Sequence, residues 1–323
     1  MSLVAAVRPE ATGRIGQLVA DDDRIVITGA GGWFGQTTLA LLVAACGPAV
    51  LDRVLATASR ARSVERNGYV VQLATPTPEQ IAVFEPTTVI NCAFPTREMV
   101  ASLGWDRYVA MATRMTSQWL ALLHLPSVQT AITFSSGAAV RDGGKVGEWD
   151  AIGNPYGYLK RVEEDVTRDV APQVGVGVTV LRTWSVSGAF VAKPDLFAFS
   201  DLINQARTGK IEVRAGHEVW RRYCGIDDAI AVAWSLAAAG GWHMVSSGGP
   251  LVEVGELATR IASLVANGCR VERATPLGGP ADDYFDRANG FADACHEVDF
   301  TPADLDEQIR ATVAGLPVVA PAF

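Results

Sequence analysis

The stretch Arg24-Ile-Val-Ile-Thr-Gly-Ala-Gly-Gly-Trp-Phe-Gly35 limits what this chain can become more than any other. Arg24 to Thr28 read as a short apolar strand. Glycines follow at 29, 31, 32 and 35, and Gln36 to Ala45 continue as a helix. Strand, glycine turn and helix start together form a site for a dinucleotide. Small residues let the backbone approach a pyrophosphate, and the helix N-terminus offers free N–H groups and partial positive charge. The candidate contacts are Gly29, Gly32, Trp33, Phe34 and Gly35. The spacing is GxxGxxG and not GxGxxG, and glycine turns also join strands to helices where no ligand binds.

The next strand, Arg53 to Ala58, ends in Ser59-Arg60-Ala61-Arg62, with Arg66 beyond. A carboxylate here would hold the ribose 2′-hydroxyl of NAD, and an arginine would meet the 2′-phosphate of NADP. No carboxylate stands between the strand and Glu65, and Asp52 precedes the strand. Ser59, Arg60 and Arg62 therefore favour NADP(H), with NAD(H) possible, because a guanidinium matches a phosphate in charge and fork geometry. The plain alternative is a solvated basic loop.

Strands alternating with helices continue along the chain. Strands are expected at Tyr69–Leu73, Thr88–Cys92, Gln129–Phe134, Val176–Leu181, Ile211–Ala215 and Trp242–Ser246. Helices are expected at Pro78–Phe84, Trp105–Leu123, from Asn154-Pro155 to about Val170, Leu196–Thr208, Asp227–Ala239, Val254–Ala266 and Pro302–Ala314. The pattern predicts an α/β fold, a doubly wound parallel sheet of Rossmann type. Residues 1–23 precede the first strand; Gly13 to Ala20 could form a helical turn or two, and the favoured reading is a solvated extension. Asn91 and Ala93 end a strand that should pass near the nicotinamide-side ribose.

Composition narrows the classes. With 323 residues, 49% hydrophobic, there is enough for a large core. A net charge of −8 argues against a nucleic-acid or anionic-membrane binder. The N-terminus carries no long apolar run and no span of about 18 apolar residues occurs, so neither a secretory signal nor a membrane helix is expected. Five scattered cysteines without a CxxC pair fit reduced thiols and a cytoplasmic location. Four histidines without HxxxH spacing give no reason to expect a metal site.

Tyr156 and Lys160 lie four apart on a predicted helix and share a face. A free phenol titrates near ~10, too high for acid–base work at neutral pH, and a neighbouring ammonium lowers it. The pair is a plausible proton relay. Ser136, at a strand's C-terminal end, could hydrogen-bond a carbonyl oxygen. Surface Tyr–Lys pairs and Ser-Ser-Gly turns are common, so the weight rests on the combination and its order.

That order, Thr28-Gly-x-x-Gly-x-x-Gly35, then Ser136, then Tyr156-x-x-x-Lys160, resembles the short-chain dehydrogenase/reductase superfamily. In particular it resembles the extended NAD(P)-dependent sugar-nucleotide epimerase/dehydratase branch. Val178 to Gly188 and Arg221-Arg-Tyr-Cys-Gly-Ile-Asp-Asp228 echo the same branch. The resemblance implies Tyr156 as proton donor, Lys160 on the nicotinamide ribose, Ser136 orienting the carbonyl, and Arg221 on the diphosphate of a nucleotide sugar. Ser185 stands where the branch usually has a substrate-contacting Asn. It also implies an NADP-binding domain at 24–184 with a returning segment at about 217–250, a substrate lobe at 185–216 and 251–323, and a homodimer. Two departures matter. Ser136-Gly137-Ala138 lacks the acid pair used for dehydration. If Val140 aligns with the branch's valine, Gly137 takes the serine slot and Ser136 falls one residue early.

The expected activity is NADPH-dependent reduction of a carbonyl, on a nucleotide-linked keto-sugar of the 4-keto-6-deoxy type. The alternatives are a nucleotide-sugar epimerase, a reductase of a non-sugar ketone in secondary metabolism, and a non-catalytic dinucleotide-binding regulator. The aromatic residues Trp184, Phe190, Phe197, Phe199 and Trp220 could line a pocket for such a ketone or simply fill the core.

Overall fold

The computed structural model describes residues 7–66, 68–140, 151–273 and 277–317. The first six residues of the predicted extension and the last six of the predicted lobe lie outside them.

The extension is a packed helix, α1 (Pro9–Leu18), where Ala11 and Ile15 are fully buried. It opens on a proline, which needs no N–H partner at that position. The solvated reading of this segment is therefore corrected: its apolar residues recur at helical spacing and find a surface to cover. β1 (Ile25–Thr28) is buried through Ile27, the mark of an interior parallel strand. α2 (Trp33–Cys46) is buried without a break from Gly35 to Val43, so it is covered on all sides.

β2 (Val54–Ala56) follows, and then a hairpin of β3 (Arg62–Arg66) and β4 (Tyr69–Leu73). Tyr69–Leu73 is a strand as expected, but it pairs antiparallel with β3. A bridge of Thr57 with Ala74 connects the hairpin to the sheet. α3 (Pro78–Phe84) opens on a reciprocal cap between Thr77 and Gln80. Next come β5 (Thr88–Asn91), α4 (Met99–Leu103), α5 (Trp105–Leu123) and β6 (Thr130–Ser136). α6 (Pro155–Val174) begins where Asn154 Oδ1 accepts the Gly157 N–H at 3.0 Å. β7 (Gly177–Thr183) completes this half.

The second half runs β8 (Ser185–Ser187), α7 (Ala198–Arg207), β9 (Lys210–Val213), β10 (Val219–Gly225), α8 (Ile226–Ala238) and β11 (Trp242–Ser246). It closes with β12 (Leu251–Glu253), α9 (Val254–Val265), β13 (Arg270–Arg273), β14 (Asp282–Tyr284), α10 (Gly290–Glu297) and α11 (Leu305–Gly315).

The main sheet has six parallel strands in the order β11-β7-β6-β5-β1-β2. Strand order reverses at β1, whose neighbours are β2 and β5. The crevice at the C-terminal ends of β1 and β5 is thus the switch point where open α/β sheets bind ligands. A second unit joins β10 to β8, β12 and β14, with β9 paired to β13. Its core is formed by Phe199, Ile203, Leu257, Ile261 and Ile309 among others. Two boundaries differ from the sequence reading. β10 belongs to this second unit and not to the returning segment, whereas Phe291, Ala294, Cys295 and Phe300, expected in the lobe, join the main core.

Candidate functional site

The glycine turn follows β1 directly. Gly29 adopts φ +62°, and a Cβ there would stand 2.7 Å from Cys92 O. Glycine alone fits. A Cβ on Gly35 would meet Ala30 Cα at 2.5 Å, so the helix start lies against the turn. The turn is fixed by Gly32 N–H donating to Gly29 O and Ala30 N–H to Thr57 O, both at 2.9 Å. Gly32 caps α2 without a side chain, which leaves the first amides of the helix open to an anion. This cradle fits a dinucleotide diphosphate.

Of the predicted cationic residues, the structure brings Arg62 to the turn: its guanidinium occupies the space that a Cβ on Gly31 would need. Arg62 reaches there from a strand and not from the loop that the sequence suggested. Ser59 and Arg60 are exposed in the turn before β3. Phe34 packs on Phe134, with ring centroids 4.4 Å apart. Trp33 Nε1–H donates to Ala189 O at 2.5 Å, and its ring meets Phe197 edge-on. Asn91 is buried at the end of β5. Its Oδ1 accepts from Thr28 Oγ1 at 2.6 Å and, more weakly, from the Ala93 N–H at 3.4 Å. Its Nδ2 donates to Thr133 Oγ1 at 3.0 Å.

The serine, tyrosine and lysine converge one strand further on. Ser136 ends β6, buried, its Oγ accepting the Ala138 N–H at 3.1 Å. It lies beside two phenols, Tyr156 from α6 and Tyr284 from β14, and favours the ionised form of each. Gly137 lies under the Trp184 indole, leaving no room there for a side chain, and Trp184 meets Tyr284 edge-on at 4.9 Å. At this end of β6 the hydroxyl beside the two phenols is that of Ser136. The Trp184 indole N–H has no partner among the described residues. A cavity of about 210 Å³ adjoins Tyr156, lined by Arg97, Val100, Ala101, Gly153, Asn154 and Pro155.

Electrostatics correct one expectation. Burial pushes the Tyr156 phenol above its usual value; Ser136 and Arg97 act downward, Glu163 and Glu98 upward. The phenol therefore holds its proton at neutral pH. Burial depresses Lys160, opposed chiefly by Glu163. The ammonium donates to Phe134 O at 2.6 Å and Glu163 Oε1 at 3.1 Å, with the Phe94 ring 3.7 Å away.

Arg221 is already engaged. It donates to Asp282 Oδ2, Asp282 O and Trp220 O, each at 2.8 Å, with 19% of its side chain exposed. Ser185 opens β8 opposite Tyr223 of β10. Tyr284, Glu163 and Phe94 were not found from sequence. Tyr284 sits in a polar Asp-Asp-Tyr strand without apolar alternation, and its register opposite Arg221 is what brings it to the site.

Among the described residues, no helix is long and apolar enough to cross a membrane, and no cluster of His, Cys, Asp and Glu could hold a metal ion. The sequence profile of the NAD dependent epimerase/dehydratase family matches residues 25–244. No curated protein matches the chain. Among solved structures, UDP-glucose 4-epimerase from Brucella ovis in complex with NAD superposes with a TM-score of 0.68 at 21% identity, covering 90% of this chain and 97% of that one. RMD from Pseudomonas aeruginosa complexed with NADPH gives 0.65 at 19%, covering 91% and 98%. MoeE5 in complex with UDP-glucose and NAD gives 0.66 at 18%, covering 90% and 97%. Likeness at these identities is likeness of fold.

Proposed function

Because this chain belongs to the NAD dependent epimerase/dehydratase family, we propose that it is an NADPH-dependent ketoreductase acting on a nucleotide-linked keto-sugar of the 4-keto-6-deoxy type. The observation that carries this reading is a half-buried phenol from α6 beside the buried hydroxyl of Ser136, with the Lys160 ammonium on the same helix, near the sheet's switch point. The bound nicotinamide would supply the hydride. The chain's own residues do the rest. The glycine turn and the first amides of α2 hold the diphosphate, and Arg62 meets the 2′-phosphate. Lys160 is the cation at the ribose end. Ser136 donates to the substrate oxygen, and Tyr156 gives that oxygen its proton. An epimerase must first remove a proton from an alcohol, a task for a phenolate, whereas a reductase needs the phenol as donor.

The nucleotide-sugar assignment is supported by the family and by the UDP-glucose held in MoeE5. A second reading, a ketone without a diphosphate, is favoured by the pairing of Arg221 with Asp282 and by the Trp184–Tyr284 wall. The test is NADPH oxidation against nucleotide-linked keto-sugars and simple aromatic ketones, with NADH in parallel. We expect turnover with NADPH. Tyr156→Phe should bind NADPH nearly as well and lose turnover by at least ~100-fold, the usual scale of a general acid. Turnover that survives the substitution would remove Tyr156 from the mechanism.

A further inference from the structure

The site's lysine does not stand alone. Lys160 and Glu163 form an ion pair at 3.1 Å, with 5% and 1% of their side chains exposed. Glu163 is held from several directions. Its Oε1 accepts from Thr133 Oγ1 and its Oε2 from Thr116 Oγ1, each at 3.3 Å, while its carbonyl accepts from Thr167 Oγ1 at 2.6 Å. Thr133 in turn accepts from Asn91, which accepts from Thr28. A polar line thus runs beneath the strand ends from β1 to α6. The adjacent Glu164 is separate: it takes both arms of Arg182 at 2.7 Å.

An unpaired buried ammonium would draw a nearby phenol toward ionisation. A carboxylate 3.1 Å from it turns that charge into a dipole, whose field falls off faster with distance. The other groups facing the phenol are Arg97 and Glu98 ahead of α4, Tyr108 on α5, Ser136 and Tyr284. Those facing the ammonium, besides Glu163, are Glu164 and the Cys92 thiol. Arg97 and Glu98 carry opposite charges from adjacent positions, and Glu163, almost wholly buried, is the carboxylate that acts most on the phenol.

We propose that Glu163 is a positioning residue that balances the charge of Lys160, so that Tyr156 meets its substrate carrying a proton. This rests on the role given to Tyr156 above. In reduction the carbonyl carbon gains a hydride from the reduced nicotinamide and the oxygen gains the phenolic proton. The phenolate left behind recovers a proton from water.

The test needs no substrate. Tyrosinate absorbance in the near ultraviolet is titrated for the full-length chain with and without Tyr156→Phe, and the difference isolates this phenol. In Glu163→Gln the phenol should ionise about one pH unit lower than in wild type, a ~10-fold change in its ionisation constant. Equal midpoints in a folded variant would overturn the proposal. Because Glu163→Gln strands a buried ammonium, Lys160→Met and Lys160→Met/Glu163→Gln provide a second comparison. The double variant should ionise below Lys160→Met and near wild type, and coincidence of the two Met variants would equally overturn it. If Tyr156→Phe still turns over substrate, the reductase reading fails whatever the titration shows.

Discussion

At the scale of single residues, Asp282 decides how the substrate pocket is read. It holds Arg221 by side chain and backbone, so the guanidinium expected to meet a diphosphate is committed to β14. Its side chain is half exposed, so its removal should be tolerated. Asp282→Ala should release the outer arm of Arg221, leave its two bonds to the Trp220 and Asp282 carbonyls, and tighten UDP binding several-fold, about 1 kcal/mol. Calorimetry that shows no change would favour a substrate without a diphosphate. Three residues that converge at the candidate site were legible in the sequence, because Tyr156 and Lys160 lie one helix spacing apart and Ser136 ends an apolar strand. Glu163 was hidden for the opposite reason: an acidic residue on a helix normally faces water, and nothing in its neighbours reports that its side chain lies under a lysine.

At the scale of elements, the apolar runs of β1, β5, β6 and β7 were legible because parallel strands buried on both faces need no polar alternation. The hairpin was missed because Arg62 to Arg66 is too charged to read as a strand, and β14 was missed because it is only Asp-Asp-Tyr. α1 was undervalued because its partners are distant in sequence. Arg8, just before it, donates its N–H to Asp227 Oδ2 and its guanidinium to Asp228 Oδ1, at the start of α8. Asp228 also accepts the Ala303 N–H at 2.7 Å, so three distant segments meet at one carboxyl group. Burial, together with Asp227, pushes Asp228 up to about 7. An acid raised in the folded state binds more protons there than when unfolded. Its contribution is therefore fully present below the unfolded value of 3.8 and is lost as pH rises toward 7. Asp228→Asn should flatten the dependence of Tm on pH between about 4 and 7, whatever it does to Tm itself. An unchanged slope in scanning calorimetry would show that Asp228 is ionised throughout.

At the scale of the whole molecule, Trp33 stands at the junction of the two cores, packed against both. Its indole N–H reaches Ala189, and its ring leans on Phe197. Trp33→Ala should cost about 3 kcal/mol, the low end for losing a tryptophan that is only half buried. It should also split one unfolding transition into two in calorimetry, since the units would then unfold with less mutual dependence. A single unshifted transition would assign the coupling elsewhere. The hairpin of β3 and β4 carries a different consequence. Arg62 opens the first strand of that hairpin, whose chain joins the sheet at the Thr57–Ala74 bridge, while the glycine turn belongs to β1 and α2. On the role proposed for Arg62, electron-donor choice would be housed in a detachable cassette, and a relative could trade one coenzyme for the other by grafting those few residues without disturbing the chemistry next door.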